Sequence, residues 1–348
     1  MKIGIITLVY SENCGSLLQA YALRYELANM GHEVVFINTK NKFSSHSLKK
    51  TTMRVVYESL HGRFSNAAAA IKRYKLFENT IKDYPVIDIE DVEKEGIDLI
   101  IEGSDTVWDV ESEYFMASPK EYWPIVDGVD ICTYAASLNN STADEIKKIE
   151  RAIKCLDGIK NITVRDEYTK SVISQLTSKE INVVCDPTIL VKLEAFDKFK
   201  KEIEEKPYIL VYIFNDVTED VYKPIREYAD KNGLQIISVG KNYSWIDKQV
   251  TLSVENFVTY FANASFVLTN TFHGNVFSII NNKNFICAPC KNKKVHELHK
   301  LFGVTERRVV EDSDINKLLT EKIDYEVVNN IIEDIRSNSK ELLREMVG

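Results

Sequence analysis

Residues 2–38, KIGIITLVYSENCGSLLQAYALRYELANMGHEVVFIN, decide the fold. KIGIITLV at 2–9 is β-branched and apolar, as a strand covered on both faces requires. From Ser16 to Met30 the apolar residues Leu17, Ala20, Tyr21, Leu23 and Leu27 return at helical spacing, and Gly31 supplies the stop. Glu33-Val34-Val35-Phe36-Ile37-Asn38 then reads as a second strand. Strand, loop, helix and strand in one short stretch open a parallel βαβ unit.

The pattern recurs outward. Strands are expected at 98–102 (DLIIE), 131–136 (ICTYAA), 162–165 (ITVR) and 181–185 (INVVC), with helices at about 142–156 and 167–176. KLEAFDKFKKEIEEKP at 192–207 reads as a charged helix ended by Pro207 and sets the domain boundary. A fresh series follows: strands at 208–213, 234–239, 266–269 and 284–287, and helices at 218–232, 254–264, 274–282 and 293–302. A long amphipathic helix at 325–346 points Val327, Val328, Ile331, Ile332, Ile335, Leu342 and Leu343 at the core. The expected fold is α/β: two Rossmann-like lobes facing a central cleft, 1–200 and 201–310, with a helical segment at 311–348 packing back on them. Ligands then belong at strand C-terminal ends.

Composition narrows the function classes. The 348 residues are 45% hydrophobic and carry 44 Lys+Arg against 52 Asp+Glu, a net charge of −8, which excludes collagen, disulfide scaffolds and wholesale disorder. Mild acidity argues against a nucleic-acid partner. The first apolar run ends at Ser11-Glu12-Asn13, short of the ~18 apolar residues of a membrane span, and no small-residue cleavage site follows, so no signal peptide is expected. Six scattered cysteines suit a reducing cytoplasm. Cys287-Ala288-Pro289-Cys290 has no second pair to complete a zinc site and follows a strand instead of opening a helix, so it reads as a turn. No metal site is expected. Between Lys40 and Lys75 nine basic residues stand against Glu58 alone, a balance of +8. That segment is either a solvated face or a surface for an anionic membrane or a phosphate-bearing substrate.

Five strand-end stretches could carry chemistry. Asn13-Cys14-Gly15-Ser16 opens a helix whose N–H groups can hold an anion, though it lacks the GxGxxG pattern of dinucleotide binding. Gly103-Ser104-Asp105-Thr106-Val107-Trp108 follows a strand, and its plainer reading is a capped turn. Tyr134-Ala135-Ala136-Ser137 permits close backbone approach to a ligand and serves equally well as core. Arg165 can present a planar fork to phosphate or carboxylate, or form a salt bridge with Asp166 or Glu167. His273, beside Gly274 at a strand-to-helix turn, suits proton transfer near neutral pH.

The ordered set NCGSLLQAYAL, GSDTVW, YAAS, VRDEYT, CDPTIL, TNTFHGNVFSII and KNKKVHELHKLFGV resembles the polysaccharide pyruvyl transferase family over residues 2 to about 303. Cys14 stands where an aromatic is more usual, and Thr271 where Ser often precedes Phe-His-Gly. The resemblance implies a GT-B-like glycosyltransferase architecture, with the first lobe on the acceptor side and the second on the donor side. It implies transfer of a pyruvyl group from phosphoenolpyruvate to two sugar hydroxyls, in a polysaccharide or lipid-linked glycan, with no cofactor beyond that donor. By motif match His273 is the expected acid. Arg165 is the leading cation for the donor, and Lys293 or Lys294 comes second. Asp105 and Asn13 would orient sugar hydroxyls, and Gly15, Gln19, Gly103, Ser104, Trp108, Ser137, Thr271 and Gly274 are carried over as substrate-binding. A cytoplasmic enzyme, peripheral to the inner face of the membrane through 40–75, is the expected setting. Two readings compete: a nucleotide-sugar glycosyltransferase of the same fold, and a non-catalytic glycan- or anion-binding relic.

Overall fold

The computed structural model describes residues 1–38, 46–112 and 122–348, the side chain of Ser65 excepted. The chain divides into two compact units, one of residues 1–192 with 334–348 and the other of residues 193–333. The division falls after Lys192, at the start of the 192–207 stretch, and residues 311–348 are shared between the units.

In the first unit the chain runs β1 (Lys2–Ile6), α1 (Cys14–Asn29), β2 (Glu33–Asn38), a helical hairpin of α2 (Leu48–Leu60) and α3 (Phe64–Ile81), and β3 (Val86–Asp88). It continues through β4 (Leu99–Glu102), β5 (Asp130–Ala136), α4 (Ala143–Lys147), α5 (Glu150–Gly158), β6 (Ile162–Val164), α6 (Glu167–Ile173), β7 (Ile181–Val183) and α7 (Pro187–Leu190). All seven strands are parallel, in the order β3-β2-β1-β4-β5-β6-β7. Chain order reverses between β1 and β4, so the loops after those two strands part to opposite faces and leave a crevice at their C-terminal ends. Helix α1 is apolar nearly all round and buried from Cys14 to Leu23, as a helix covered on several sides must be.

The second unit runs β8 (Tyr208–Tyr212), α8 (Glu219–Asn232), β9 (Gln235–Val239), β10 (Lys248–Val250), α9 (Val254–Asn263) and β11 (Phe266–Thr269). Then come α10 (Phe272–Ile280), β12 (Phe285–Cys287), α11 (Lys293–Leu301), α12 (Ile315–Thr320) and α13 (Tyr325–Val347). Its sheet, β10-β9-β8-β11-β12, is also wholly parallel, with the reversal between β8 and β11. Helix α13 begins in this unit and ends in the first. There Arg336 donates to the carbonyl oxygens of Ile189 (2.9 Å) and Val191 (3.3 Å), and the Cys185 N–H donates to Ser339 Oγ at 3.0 Å.

Several elements differ from the sequence reading. The charged stretch from 192 forms only a 3-10 turn at Leu193–Phe199, because Ala195, Phe196 and Phe199 are its only buried residues and cannot hold four turns on a core. The helix expected over 142–156 breaks into α4 and α5, which bury separate sets, Ala143 with Ile146 and Ala152 with Cys155 and Leu156. Val327 is exposed, since its neighbour Val328 takes the core-facing position of that turn. Strands β3 and β10 lie outside the expected set, since the residues of VID and KQV are at best half-buried and too few to show a period. Among the described residues no helix is long and apolar enough to cross a membrane.

Glu102 ends β4 with its carboxyl wholly buried. Burial pushes that carboxyl well above the usual carboxylate range, against a smaller opposing pull from the Trp108 indole. The folded chain therefore keeps a proton that the unfolded chain releases above about pH 4.5. Its contribution to stability is full below that pH and is lost as pH rises toward the folded value. Glu102→Gln removes the ionisable group at nearly constant shape. Denaturant unfolding at pH 8 is expected to find Glu102→Gln more stable than wild type, with a shallower decline above pH 5; an unchanged pH profile would mean that Glu102 is ionised in the fold.

Candidate active site

In the first unit the site is built on Asp105, at the β1/β4 reversal. Gly103 precedes it at φ +117°, where a Cβ would lie 2.2 Å from the Tyr134 carbonyl oxygen, so only glycine lets the strand end come this close to β5. Asp105 itself is left-handed at φ +76°, a conformation that non-glycine residues adopt at a cost of order 1–3 kcal/mol. Its carbonyl accepts from Ser137 N (3.0 Å), and its carboxylate accepts from Ser16 Oγ (2.6 Å) and Thr106 N (2.9 Å). The Arg165 guanidinium, nearly all buried, lies 3.7 Å from Asp105 Oδ1 and donates to Asp186 Oδ2 at 3.2 Å. Asp186 also accepts from Thr188 N and Oγ1, which caps α7.

The salt bridge read as one option for Arg165 is therefore real, but its partners are Asp105 and Asp186. Asp166 instead caps α6 by accepting from Thr169 N and Oγ1, and also accepts from Ser137 Oγ at 2.9 Å. With its guanidinium between two carboxylates, Arg165 is engaged within the protein, and the carboxylate oxygens of Asp105 suit accepting a hydroxyl hydrogen bond.

Other expected site residues support this cluster. Asn13 Oδ1 accepts from Gly15 N at 3.0 Å and caps α1, which brings Ser16 to Asp105. Gln19, fully buried, donates to Thr7 Oγ1 and Ser16 O, both at 2.9 Å, and Thr7 Oγ1 donates to Ser104 O at 2.9 Å. Gln19 and Ser104 thus hold the turn from inside. Trp108, expected to bind substrate, is wholly in the core, stacked on Trp123 with centroids 5.0 Å apart. That is a correction: the turn after Asp105 directs the indole under the sheet.

The second unit has its own site at the ends of β11 and β12. Thr271 Oγ1 accepts from Gly274 N at 2.9 Å and caps α10, and Thr269 Oγ1 donates to the Tyr212 carbonyl at 2.7 Å. A Cβ on Gly274 would stand 2.0 Å from Thr269 Oγ1, so the hydroxyls leave room only for glycine. His273 is the second residue of α10 and nearly buried, its ring edge-on to Phe272 at 5.2 Å. Lys293 and Lys294 open α11, capped by Asn292, and Lys294 Nζ lies 5.7 Å from the Phe272 ring centroid. Since β11 and β12 are parallel neighbours, α10 and α11 start from the same sheet edge. Two positive helix ends and two ammonium groups there favour an anion. Cys290 follows β12, its thiol held below the ordinary range chiefly by the hydrogen bond from Cys287, in a turn as expected.

Residues outside the expected set complete both sites. Asp186 in CDPTIL reads locally as the cap it is, and Ser16 in NCGSLL as part of a helix start, but their pairing with distant Arg165 and Asp105 shows only in the structure. Asn275 donates to the Thr271 carbonyl (2.7 Å), and its Oδ1 meets His299 Nε2 at 2.7 Å, so His299 secures the start of α10. With Asn275 Oδ1 as acceptor, His299 Nε2 carries the proton. Burial above all, then Arg308, His296 and Arg307, pushes His299 down to about 3.

Two expectations follow. Arg165→Met leaves Asp105 and Asp186 facing one another unneutralised. A loss of about 3–5 kcal/mol is expected in denaturant unfolding; a loss under about 1 kcal/mol would show the cluster to be solvated. For His299 the unfolded chain takes up a proton below about pH 6.5 that the folded chain refuses until about pH 3. Its stabilisation is present above pH 6.5 and lost as pH falls through that window. Unfolding at pH 7 and pH 5 is expected to show a steeper acid loss for wild type than for His299→Gln; equal slopes would place His299 protonated in the fold.

Residues 13–292 match the polysaccharide pyruvyl transferase family. No curated protein matches the chain in sequence. Among solved structures, the UDP-GlcNAc 2-epimerase of Neisseria meningitidis bound to UDP-GlcNAc is 12% identical with TM-score 0.60, covering 100% of this chain and 99% of its own. The UDP-GlcNAc 2-epimerase of Methanocaldococcus jannaschii is 11% identical with TM-score 0.55 over 100% and 99%. The kitacinnamycin glycotransferase is 11% identical with TM-score 0.51 over 99% and 98%. At such identities the likeness is one of fold, and it bears out the GT-B-like α/β class. With the family's span covering most of the chain, from Asn13 through Asp105, Arg165 and His273 to Asn292, the chain belongs to the polysaccharide pyruvyl transferase family and is a transferase.

Proposed function

We propose that the chain transfers the pyruvyl group of phosphoenolpyruvate to two hydroxyls of a sugar, in a polysaccharide or lipid-linked glycan, forming a cyclic ketal and releasing phosphate. The observation that carries this reading is the cationic edge of the second unit, where His273 sits beside two helix N-termini and Lys293 and Lys294. Phosphoenolpyruvate brings a carboxylate and a phosphate, and the charge of this strand-end edge matches both. Arg165 is bound up with two carboxylates, so Lys293 and Lys294 take the leading role in holding the donor. Arg165 becomes a positioning residue for Asp105.

The chemistry assigns the remaining roles. His273 protonates the methylene carbon, which becomes the methyl group, and the adjacent carbon becomes an oxocarbenium-like electrophile. The first sugar hydroxyl attacks it. Departure of phosphate regenerates the electrophile, and the second hydroxyl closes the ketal. Of the two hydroxyl protons released, one replaces that given up by His273 and the other leaves with phosphate. Asp105, fixed by Ser16 and Arg165, accepts a hydrogen bond from the sugar hydroxyl, which aligns its oxygen for attack.

Phosphate release from phosphoenolpyruvate against a panel of glycans, with mass spectrometry of the products, tests the reading. A ketal-bearing glycan is expected, and His273→Ala should lower kcat by about 10²–10⁴ without altering the fold. Activity within about tenfold of wild type would remove His273 from proton transfer. Thermal stabilisation by UDP-GlcNAc but not by phosphoenolpyruvate would favour the nucleotide-sugar reading instead.

A further inference from the structure

The α2–α3 hairpin inverts the usual helix pattern, in which the apolar side faces the core. No residue of α2 is buried. Its half-buried residues Thr51, Val55, Glu58 and Ser59 make up one side, which packs on α3. At about 100° per residue, Met53, Val56, Tyr57 and Leu60 fall on the opposite side. There Leu60 is 80% exposed and Met53 64%. Phe64, at the start of α3, is 69% exposed and shares a face with Ala68, Ile71 and Lys75. A shallow depression of about 400 Å³ on α3 is lined by Ala68, Ile71, Lys72, Lys75 and Leu76. This much apolar surface turned outward on one supersecondary unit marks an interaction site.

Charge selects the occupant. Of the cations in the hairpin, Arg63 is taken up by Glu58 (2.9 Å) and Arg73 by Glu12 (2.7 Å). Lys49, Lys50, Arg54, Lys72 and Lys75 are exposed around the apolar face, and Glu58 is the only acidic residue from 46 to 75. The expectation of a membrane-facing surface over 40–75 rested on charge alone, and Lys40 and Lys42 lie outside the described residues. The outward apolar face is what the structure adds. A second copy docked on this face by two-fold symmetry would set like charges against one another. An anionic bilayer meets both features, with apolar side chains entering the headgroup boundary and lysines pairing with phosphates.

We propose that the α2–α3 hairpin is an interfacial membrane anchor, lying on an anionic bilayer with Met53, Val56, Leu60 and Phe64 inserted and Lys49, Lys50, Arg54 and Lys72 on the headgroups. The anchor is independent of the reaction catalysed. The test is co-sedimentation of the full chain, at physiological salt, with vesicles of equal parts phosphatidylcholine and phosphatidylglycerol, and with phosphatidylcholine alone. Wild type is expected in the pellet with the anionic vesicles, with roughly tenfold weaker partition to the neutral ones. Met53→Ser with Leu60→Ser, and separately Lys49→Gln, Lys50→Gln, Arg54→Gln and Lys72→Gln together, should each weaken anionic binding by roughly tenfold. Because these side chains are exposed, melting temperatures should stay at the wild-type value. Wild type remaining in the supernatant, or binding that survives the Met53/Leu60 change, would overturn the proposal. So would light scattering that finds a dimer which that change dissolves.

Discussion

The carboxylate of Asp105 is the tie on which the first unit's site depends. It joins the end of β4 to the start of α1 through Ser16 and, through Arg165 and Asp186, to the ends of β6 and β7. Parallel strands finish on one sheet edge with their polar termini crowded together, and in this interior each charge has to be met by another. The Arg165 guanidinium between Asp105 and Asp186 answers that demand, in the crevice that the reversal of strand order opens. Gly103 is the steric condition for the arrangement, since a Cβ there would collide with the Tyr134 carbonyl.

The second unit repeats the logic with hydroxyls in place of charges. Thr269 and Thr271 bind backbone at the end of β11 and the start of α10, Gly274 lets them approach, and Asn275 with His299 braces the first turn. The positive ends of α10 and α11, with Lys293 and Lys294 at the start of α11, lie at the same sheet edge. The two units thus brace their strand ends differently at equivalent places in their sheets, the first through buried charges and the second through hydroxyls.

In a chain of net charge −8 the α2–α3 hairpin is locally basic, with seven Lys and Arg residues against Glu58 and Glu78. The hairpin is inserted between β2 and β3, at the edge of the first sheet, where α2 adds no side chain to the core. It can carry outward-facing leucine, methionine and phenylalanine because the fold's stability does not rest on them. The same residues facing inward would have made it an ordinary covering element.

The sequence by itself determined the two parallel α/β series, because apolar runs bounded by helix starts and glycine stops specify strand and helix locally. It also marked the strand-end stretches around Asp105, Arg165 and His273, since function in such folds gathers where strands end. Short-range signals failed where long-range packing decided: residues 192–207 are helical in charge pattern but lack the buried face to stay so, and β3 and β10 exist only through pairing with a neighbour. Trp108 looked like a ligand residue from its motif, yet a positive-φ turn three residues earlier sends it under the sheet. Arg165 looked like an anion fork, and only the tertiary structure brings Asp105 and Asp186, 60 residues before it and 21 after, within reach of its guanidinium. Partners so distant in the chain leave no periodic trace, and the charge left at a site is the sum over all of them.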